Sequence, residues 1–161
     1  MLIGDDLMFK EMRRSDREIG KEDIKKILEN GDYGVLATIG ENGYPYATPL
    51  SYVYYNEALY FHCAVEGHKL DNIKANERVS FCVVGKTKVL QEQFSTEYES
   101  IIAFGRAAEI NHEEKKEALM AIADKYSPDF MAEGHQYIDR AIDATCVVKI
   151  EIDRLTGKAR R

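Results

Sequence analysis

Three β-type runs follow one another across residues 33–63, joined by links too short for anything but antiparallel pairing, and nothing else in the sequence constrains the fold as strongly. Residues 33–39 are rich in β-formers. Glu41-Asn42-Gly43 then carries a hairpin signal, because both Asn42 and Gly43 tolerate positive φ, and residues 46–55 return. Asn56-Glu57 turns the chain into a third run at 58–63, so the three read as a meander. A parallel crossover needs roughly a dozen residues or more, which these links do not have. Pro49 lies inside the second run and gives a ladder no N–H; a bulge, an edge or a gap in pairing is expected there.

Further along, residues 79–84 read as a buried strand, 86–97 as a polar surface loop, and 98–110 as a long strand punctuated by Gly105. A last strand at 146–152 alternates Val148, Ile150 and Ile152 with Lys149, Glu151 and Asp153. That makes six strands. Helices are expected at 21–30, where Ile24, Ile27 and Leu28 form one stripe before a stop at Gly31, and at 68–76, with Leu70 and Ile73 on one face. A further helix opens at Asn111, with Glu114 placed as in a capping box. Ala118, Leu119, Ile122 and Ala123 core it, and Ser127-Pro128 ends it. A looser helical segment covers 129–142. Residues 1–18 read as a charged arm ordered by docking, and 154–161 as a charged tail. The expectation is a single domain over 1–161, mainly β within the α+β class: an antiparallel six-stranded sheet closed into a small barrel with helices at its rim. A doubly wound dinucleotide fold is disfavoured, since no G-x-G-x-x-G follows a strand and helices do not alternate with strands.

Charge narrows the function. With 22 Lys+Arg against 28 Asp+Glu the chain carries a formal −6, which argues against a general nucleic-acid binder while leaving room for a small basic pocket. No stretch is apolar enough to span a bilayer, and acidic residues interrupt the first 18 positions, so no membrane association is expected and the chain is expected in the cytoplasm. Cys63, Cys82 and Cys146 belong to no C-x-x-C pair and read as reduced thiols packed in strands. His62 and His68 stand six apart without a third ligand at useful spacing, so no metal site is expected. No G-x-S-x-G elbow or cysteine-protease signature is present.

Chemistry concentrates at residues 60–72. There a strand ends, Gly67 permits an unusual turn, and a helix begins carrying His68 and Lys69. Free N–H groups at a helix start beside two cations make an anion site suited to a phosphate, the alternative being a solvated Gly-His-Lys turn of the kind common in surface loops. His62, in an otherwise apolar strand, is expected to face inward with one nitrogen satisfied. Tyr44, Tyr46, Tyr52, Tyr54 and Tyr55 offer flat surfaces for stacking a ring system, or fill core and interface.

An ordered set of segments carries a family resemblance: residues 9–14, 33–38, Gly43-Tyr44-Pro45-Tyr46-Ala47-Thr48-Pro49-Leu50, Tyr60-Phe61-His62-Cys63-Ala64, Gly67-His68-Lys69-Leu70-Asp71-Asn72, 79–84, Tyr98-Glu99-Ser100, Phe104-Gly105-Arg106-Ala107 and Leu155-Thr156-Gly157-Lys158. The chain resembles the FMN-binding split-barrel flavoproteins related to pyridoxamine 5′-phosphate oxidase, and among them the nitroimidazole-resistance branch. The resemblance implies a six-stranded split β-barrel and a homodimer with FMN at the subunit interface. It implies that Thr48, Pro49, Leu50, Ser51 and Tyr52 lie along the isoalloxazine ring and that His62, Cys63 and Ala64 stand beside the cofactor. His68 and Lys69 would hold the phosphate, Asn72 would lie one helical turn beyond, and Ser100 of the partner subunit would complete the site. It further implies reduction of a small-molecule electron acceptor of nitroaromatic type, with His68 as the one candidate reactive side chain. Two departures point away from oxidation of pyridoxamine 5′-phosphate itself: His68-Lys69 stands where those oxidases carry Arg-Lys, and the chain has no tryptophan to match their C-terminal region. A non-catalytic module holding flavin, haem or a deazaflavin is the reading of a different class, and the oxidase remains a third.

Overall fold

The computed structural model describes residues 9–161. Helix α1 (Lys21–Asn30) leads into β1 (Gly34–Ile39), β2 (Pro45–Leu50), β3 (Val53–Tyr55) and β4 (Ala58–Ala64). Helix α2 (His68–Ala75), β5 (Arg78–Leu90), β6 (Ser95–Glu109), α3 (His112–Tyr126), α4 (Met131–Ala141) and β7 (Thr145–Arg160) follow. The strands form one antiparallel sheet in the order β2-β1-β5-β6-β7-β4-β3.

The expected six-stranded closed barrel is corrected: the sheet has seven strands and is not closed. The cause lies at Ser51–Tyr52. The expected run at 46–55 breaks there, so β2 pairs with β1 while β3 pairs with β4, and the two halves become opposite edges of the sheet. The broken ladder is capped by a side chain. Tyr126 Oη accepts the Tyr52 N–H at 3.0 Å, and its proton lies between the carbonyls of Asp32, at 2.8 Å, and Tyr52, at 3.0 Å. Pro49 sits in an edge strand opposite Val35, the placement proline favours, and the gap in pairing falls two residues later.

Three other expectations change. Residues 86–97 are not a loop: β5 continues to Leu90 and pairs with β6 from Ser95, across a register shift between Val84 and Thr87. Residues 154–160 are not a tail: β7 runs to Arg160 along β6, with a bulge at Phe104/Gly105. A Cβ on Gly105 would meet the Glu151 carbonyl oxygen at 2.2 Å, so the close backbone approach requires glycine. At the 40–44 turn only Gly43 has positive φ, while at the β3–β4 turn both Asn56 (φ 47°) and Glu57 (φ 59°) do. The described part of the N-terminal arm and the residue after it lie against β6 and β7. Ile19 N–H donates to Gly157 O at 3.1 Å, and Phe9 packs on Phe104 with ring centroids 5.2 Å apart. Residues 1–8 lie outside the described chain.

The sheet has apolar material on both faces. Leu36, Phe61, Phe81, Val83, Ile101, Val148 and Ile150 fill the inner core, plugged by Ile24, Ile27 and Leu28 of α1 and by Leu70 and Ile73 of α2. Each such fully buried side chain contributes roughly 1.5–3 kcal/mol. A second cluster lies outside, where Ala118, Leu119 and Ile122 of α3 and Ile138 of α4 cover Val53, Tyr60 and Val147. Strand β4 is therefore buried on both faces through Phe61 and emerges at His62. Among the described residues no helix is long and apolar enough to cross a membrane.

Candidate functional site

The corner after β4 turns sharply into α2. Gly67, at φ 146°, takes a conformation that residues with a Cβ avoid, and it turns the chain into α2 with no side chain capping the helix. The Gly67 carbonyl accepts both Leu70 N–H (2.9 Å) and Asp71 N–H (3.1 Å), so the amides of His68 and Lys69 head the helix ahead of its first internal bonds. The His68 ring stacks on Tyr46 with centroids 4.1 Å apart, which ties the helix start to β2. Burial pushes the Cys63 thiol upward and the Lys69 charge pulls it the other way. Asn72 is buried and donates from Nδ2 to Thr38 Oγ1 at 3.0 Å. Its side chain fastens α2 to β1 and holds the corner in place.

The residues of β2 and its end divide between two environments. Thr48 Oγ1 is buried and has no hydrogen-bond partner, the kind of orphaned polar atom that calls for a ligand or a water. Pro49 is exposed and Leu50 packs against the inner core. Tyr52 is fully buried. Its hydroxyl donates to Leu28 O at 2.6 Å and its ring meets Phe81 edge-on at 5.1 Å, so its side chain belongs to the core and its backbone to the Tyr126 cap.

The inward orientation expected for His62 is corrected. The alternation of β4 sends Phe61 and Cys63 to the inner core and His62 outward, on the face of Tyr60. There it joins Ser51 and Thr145 on the wall of a cavity of about 540 Å³ roofed by α3 and α4. Burial alone lowers the His62 pKa, which favours the neutral ring. Cys63 and Cys146 face each other across β4 and β7, and burial leads the effects that push the Cys146 thiol up to about 12. Both therefore stay protonated and weakly nucleophilic. Ala64 closes β4 opposite Thr145.

The sequence-predicted set is thus brought together only in part. Ser51 and His62 share the cavity under α3 and α4, while His68 and Asn72 line another of about 750 Å³ with Gly40, Asn42 and Asp71. Ser100 stands apart on β6, opposite Val84 and Lys158. Another cavity, of about 870 Å³ between α3 and β3, is lined by Tyr54 and Tyr55 but by none of the residues expected to hold the cofactor. Sequence reasoning missed the α4 wall of the His62 cavity, including Gly134, Tyr137 and Ile138; its one signal was the loose helical periodicity of 129–142. Among the described residues no group of three His, Cys, Asp or Glu side chains is arranged to hold a metal ion.

Comparison with known proteins adds four likenesses. A family model described as pyridoxamine 5′-phosphate oxidase matches residues 20–159. The chain is 29% identical to a candidate 5-nitroimidazole antibiotic resistance protein of Bacteroides thetaiotaomicron, with a TM-score of 0.77 over 88% of this chain and 86% of that one. It superposes on an FAD-binding protein of Mesorhizobium loti (23% identity, TM-score 0.61, 90% and 98% covered). It superposes likewise on an FAD and heme binding protein of Mycobacterium smegmatis (20% identity, TM-score 0.75, 90% and 74% covered). No curated protein matches the chain.

Proposed function

This chain belongs to the pyridoxamine 5′-phosphate oxidase family, and from that premise we propose that it is an FMN-dependent reductase of nitroaromatic compounds, working as a homodimer. The observation that carries the reading is the corner at Gly67, whose uncapped helix start presents the His68 and Lys69 amides together with two basic side chains. That array fits the phosphate end of FMN. The orphaned Thr48 Oγ1 on the neighbouring strand fits a polar edge of the same molecule.

Bound flavin supplies the electron transfer in this family. The residues bind, orient and shield. Lys69 neutralises phosphate charge, while the His68 ring, held against Tyr46, fixes the direction of the helix start. Asn72, bonded to Thr38, keeps that helix from sliding on β1. Along Thr48–Ser51 the edge strand ends without a partner ladder beyond Leu50, leaving backbone groups free to face a ring edge. No general acid or base is required of a side chain. His68 as a reactive residue is a secondary expectation, tested by His68→Asn.

Lys69→Ala is the decisive test. Losing one charge-assisted phosphate contact costs about 1.5–3 kcal/mol, which is a ten- to hundred-fold weaker FMN Kd by fluorescence titration. An unchanged Kd removes the phosphate assignment. Incubating the FMN-loaded protein anaerobically with NADPH and metronidazole separates enzyme from module. Loss of nitro absorbance supports the reductase, and tight flavin binding without turnover supports a storage module. The absorbance spectrum of the purified protein distinguishes flavin from haem, the group named for one structural neighbour. Formation of pyridoxal phosphate from pyridoxamine 5′-phosphate would instead favour the oxidase.

A further inference from the structure

The cavity roofed by α3 and α4 has a chemistry different from the Gly67 corner. Its wall is formed mainly by aliphatic and aromatic side chains, among them Leu119, Ile122, Phe130 and Tyr137, and its volume of about 540 Å³ lies within the range that houses small ligands. Among the described residues its lining includes no lysine or arginine, and Glu133 is its single carboxylate. An anion entering it would lose hydration, meet no compensating cation and face Glu133. The polar groups are few: Ser51 from the break between β2 and β3, His62 and Thr145 from β4 and β7, Ser127 after α3, and the hydroxyls of Tyr126 and Tyr137. Tyr126 Oη is already committed to the backbone of Asp32 and Tyr52. His62, which emerges at the end of β4, offers a ring N–H donor on an otherwise apolar wall.

We propose that this cavity is the acceptor pocket, that it takes a neutral planar aromatic ring bearing an oxygen at its edge, and that His62 donates a hydrogen bond to that oxygen. Its role as an acceptor pocket rests on the flavin reading, because Ser51 and His62 lie on the segments expected to border the ring; the binding itself does not. Selectivity follows from the lining. A flat uncharged ring gains apolar burial between α3 and α4, while a carboxylate on the same ring forfeits its hydration. Gly134 sets the width. A Cβ placed there would stand 3.7 Å from Ala123 Cβ, so a longer side chain on α4 would grow into the space between the helices.

The test is calorimetric titration of the full-length protein, supplied with FMN, using 4-nitroacetophenone beside 4-nitrobenzoate, a ring of similar size that carries a charge. The neutral compound is expected to bind about ten-fold or more tightly than the anion. Gly134→Leu is expected to weaken the neutral compound about ten-fold by filling the pocket. His62→Ala should weaken it roughly three- to ten-fold by removing one hydrogen bond. Thermal melting establishes that each variant is folded, and the His62→Ala arm decides the matter if Gly134→Leu is not. Equal binding of the anion, or neutral binding unchanged in both folded variants, overturns the proposal. FMN titration of the same samples reports on the flavin reading separately. A protein that takes no FMN sinks that reading, while the nitroacetophenone arms still decide the pocket.

Discussion

At the scale of single residues, Lys125 shows how a side chain that looks solvated in sequence becomes a constraint in the fold. It lies in α3 next to Tyr126 and reads as an ordinary helix-surface lysine, yet its Nζ is buried without a hydrogen-bond partner, 3.9 Å from the Tyr52 ring centroid and 5.3 Å from that of Tyr126. Two effects oppose each other there. A cation over an aromatic face gains about 0.5–2 kcal/mol, while burial of an ammonium costs several. Burial wins and lowers the Lys125 pKa to about 8, with the Asp32 charge pulling the other way. An unfolded lysine titrates near 10.5, so between pH 8 and 10.5 the unfolded chain holds a proton that the folded chain has released. Stability therefore rises with pH through that window, and below it the folded state carries the full penalty. Lys125→Met is expected to raise stability by about 1 kcal/mol at pH 7 and to flatten the dependence between pH 8 and 10.5. Thermal denaturation at pH 7, 9 and 10.5 measures both, and parallel curves for the two proteins would refute the account. The same packing explains why Tyr52 could not be assigned from sequence. It continues the run 48–51 in register of composition, but only the fold reveals that the ladder stops before it.

At the scale of elements, what was legible followed from local chemistry, and what was not followed from pairing. The stripe Ile24, Ile27, Leu28 marked α1 to the residue, and the Asn111 side chain does accept Glu114 N–H at 3.2 Å, so local capping was readable in advance. The Glu114 carboxylate does not close the box. It bonds Tyr60 Oη at 3.0 Å and Lys149 Nζ at 2.8 Å, which points α3 across β4 and β7. The ribbon at 86–98 was illegible because its residues are polar or exposed on both faces, so no alternation of burial marks a strand held by backbone bonds alone. The β3–β4 turn gives a prediction at this scale. Asn56 and Glu57 both occupy the left-handed region, which asparagine tolerates and glutamate does at a cost of about 1–2 kcal/mol. Glu57→Gly relieves that strain and loosens the unfolded chain, for a net gain of about 0.5–1 kcal/mol. Chemical denaturation would show it as a higher midpoint at unchanged slope. A lower midpoint would mean that contacts made by the Glu57 side chain outweigh the backbone term.

At the scale of the whole molecule, the described helices leave one sheet face to be covered only by other parts of the chain, Phe9 of the N-terminal arm packing there on Phe104. Helices α1 and α2 plug the inner core and α3 and α4 cover the outside of β3, β4 and β7, so among the described residues no helix roofs the outer face of β1, β5 and β6. Val84 is 50% exposed there, Ile102 42% and Phe104 39%, with Val35 and Cys82 beside them in the ladder. Contiguous apolar surface of this kind is unusual on a monomer and suits a second copy of the chain. Ser100 belongs to the same face, opposite Val84. Read as a sequence, β5 and β6 betray their strands but not which face the helices leave unroofed, because that depends on where residues 112–141 pack. If this face is the dimer seam, charge placed at its centre must separate the subunits and empty the flavin site together. Ile102→Glu is expected to run at the 18.4 kDa chain mass by light scattering while the unaltered protein runs at twice that, and to bind FMN at least about ten-fold more weakly. Lys69→Ala should show the complementary pattern, weak FMN binding in an intact dimer. Full FMN affinity in a monomeric Ile102→Glu protein would place the whole flavin site within one subunit and take Ser100 out of it.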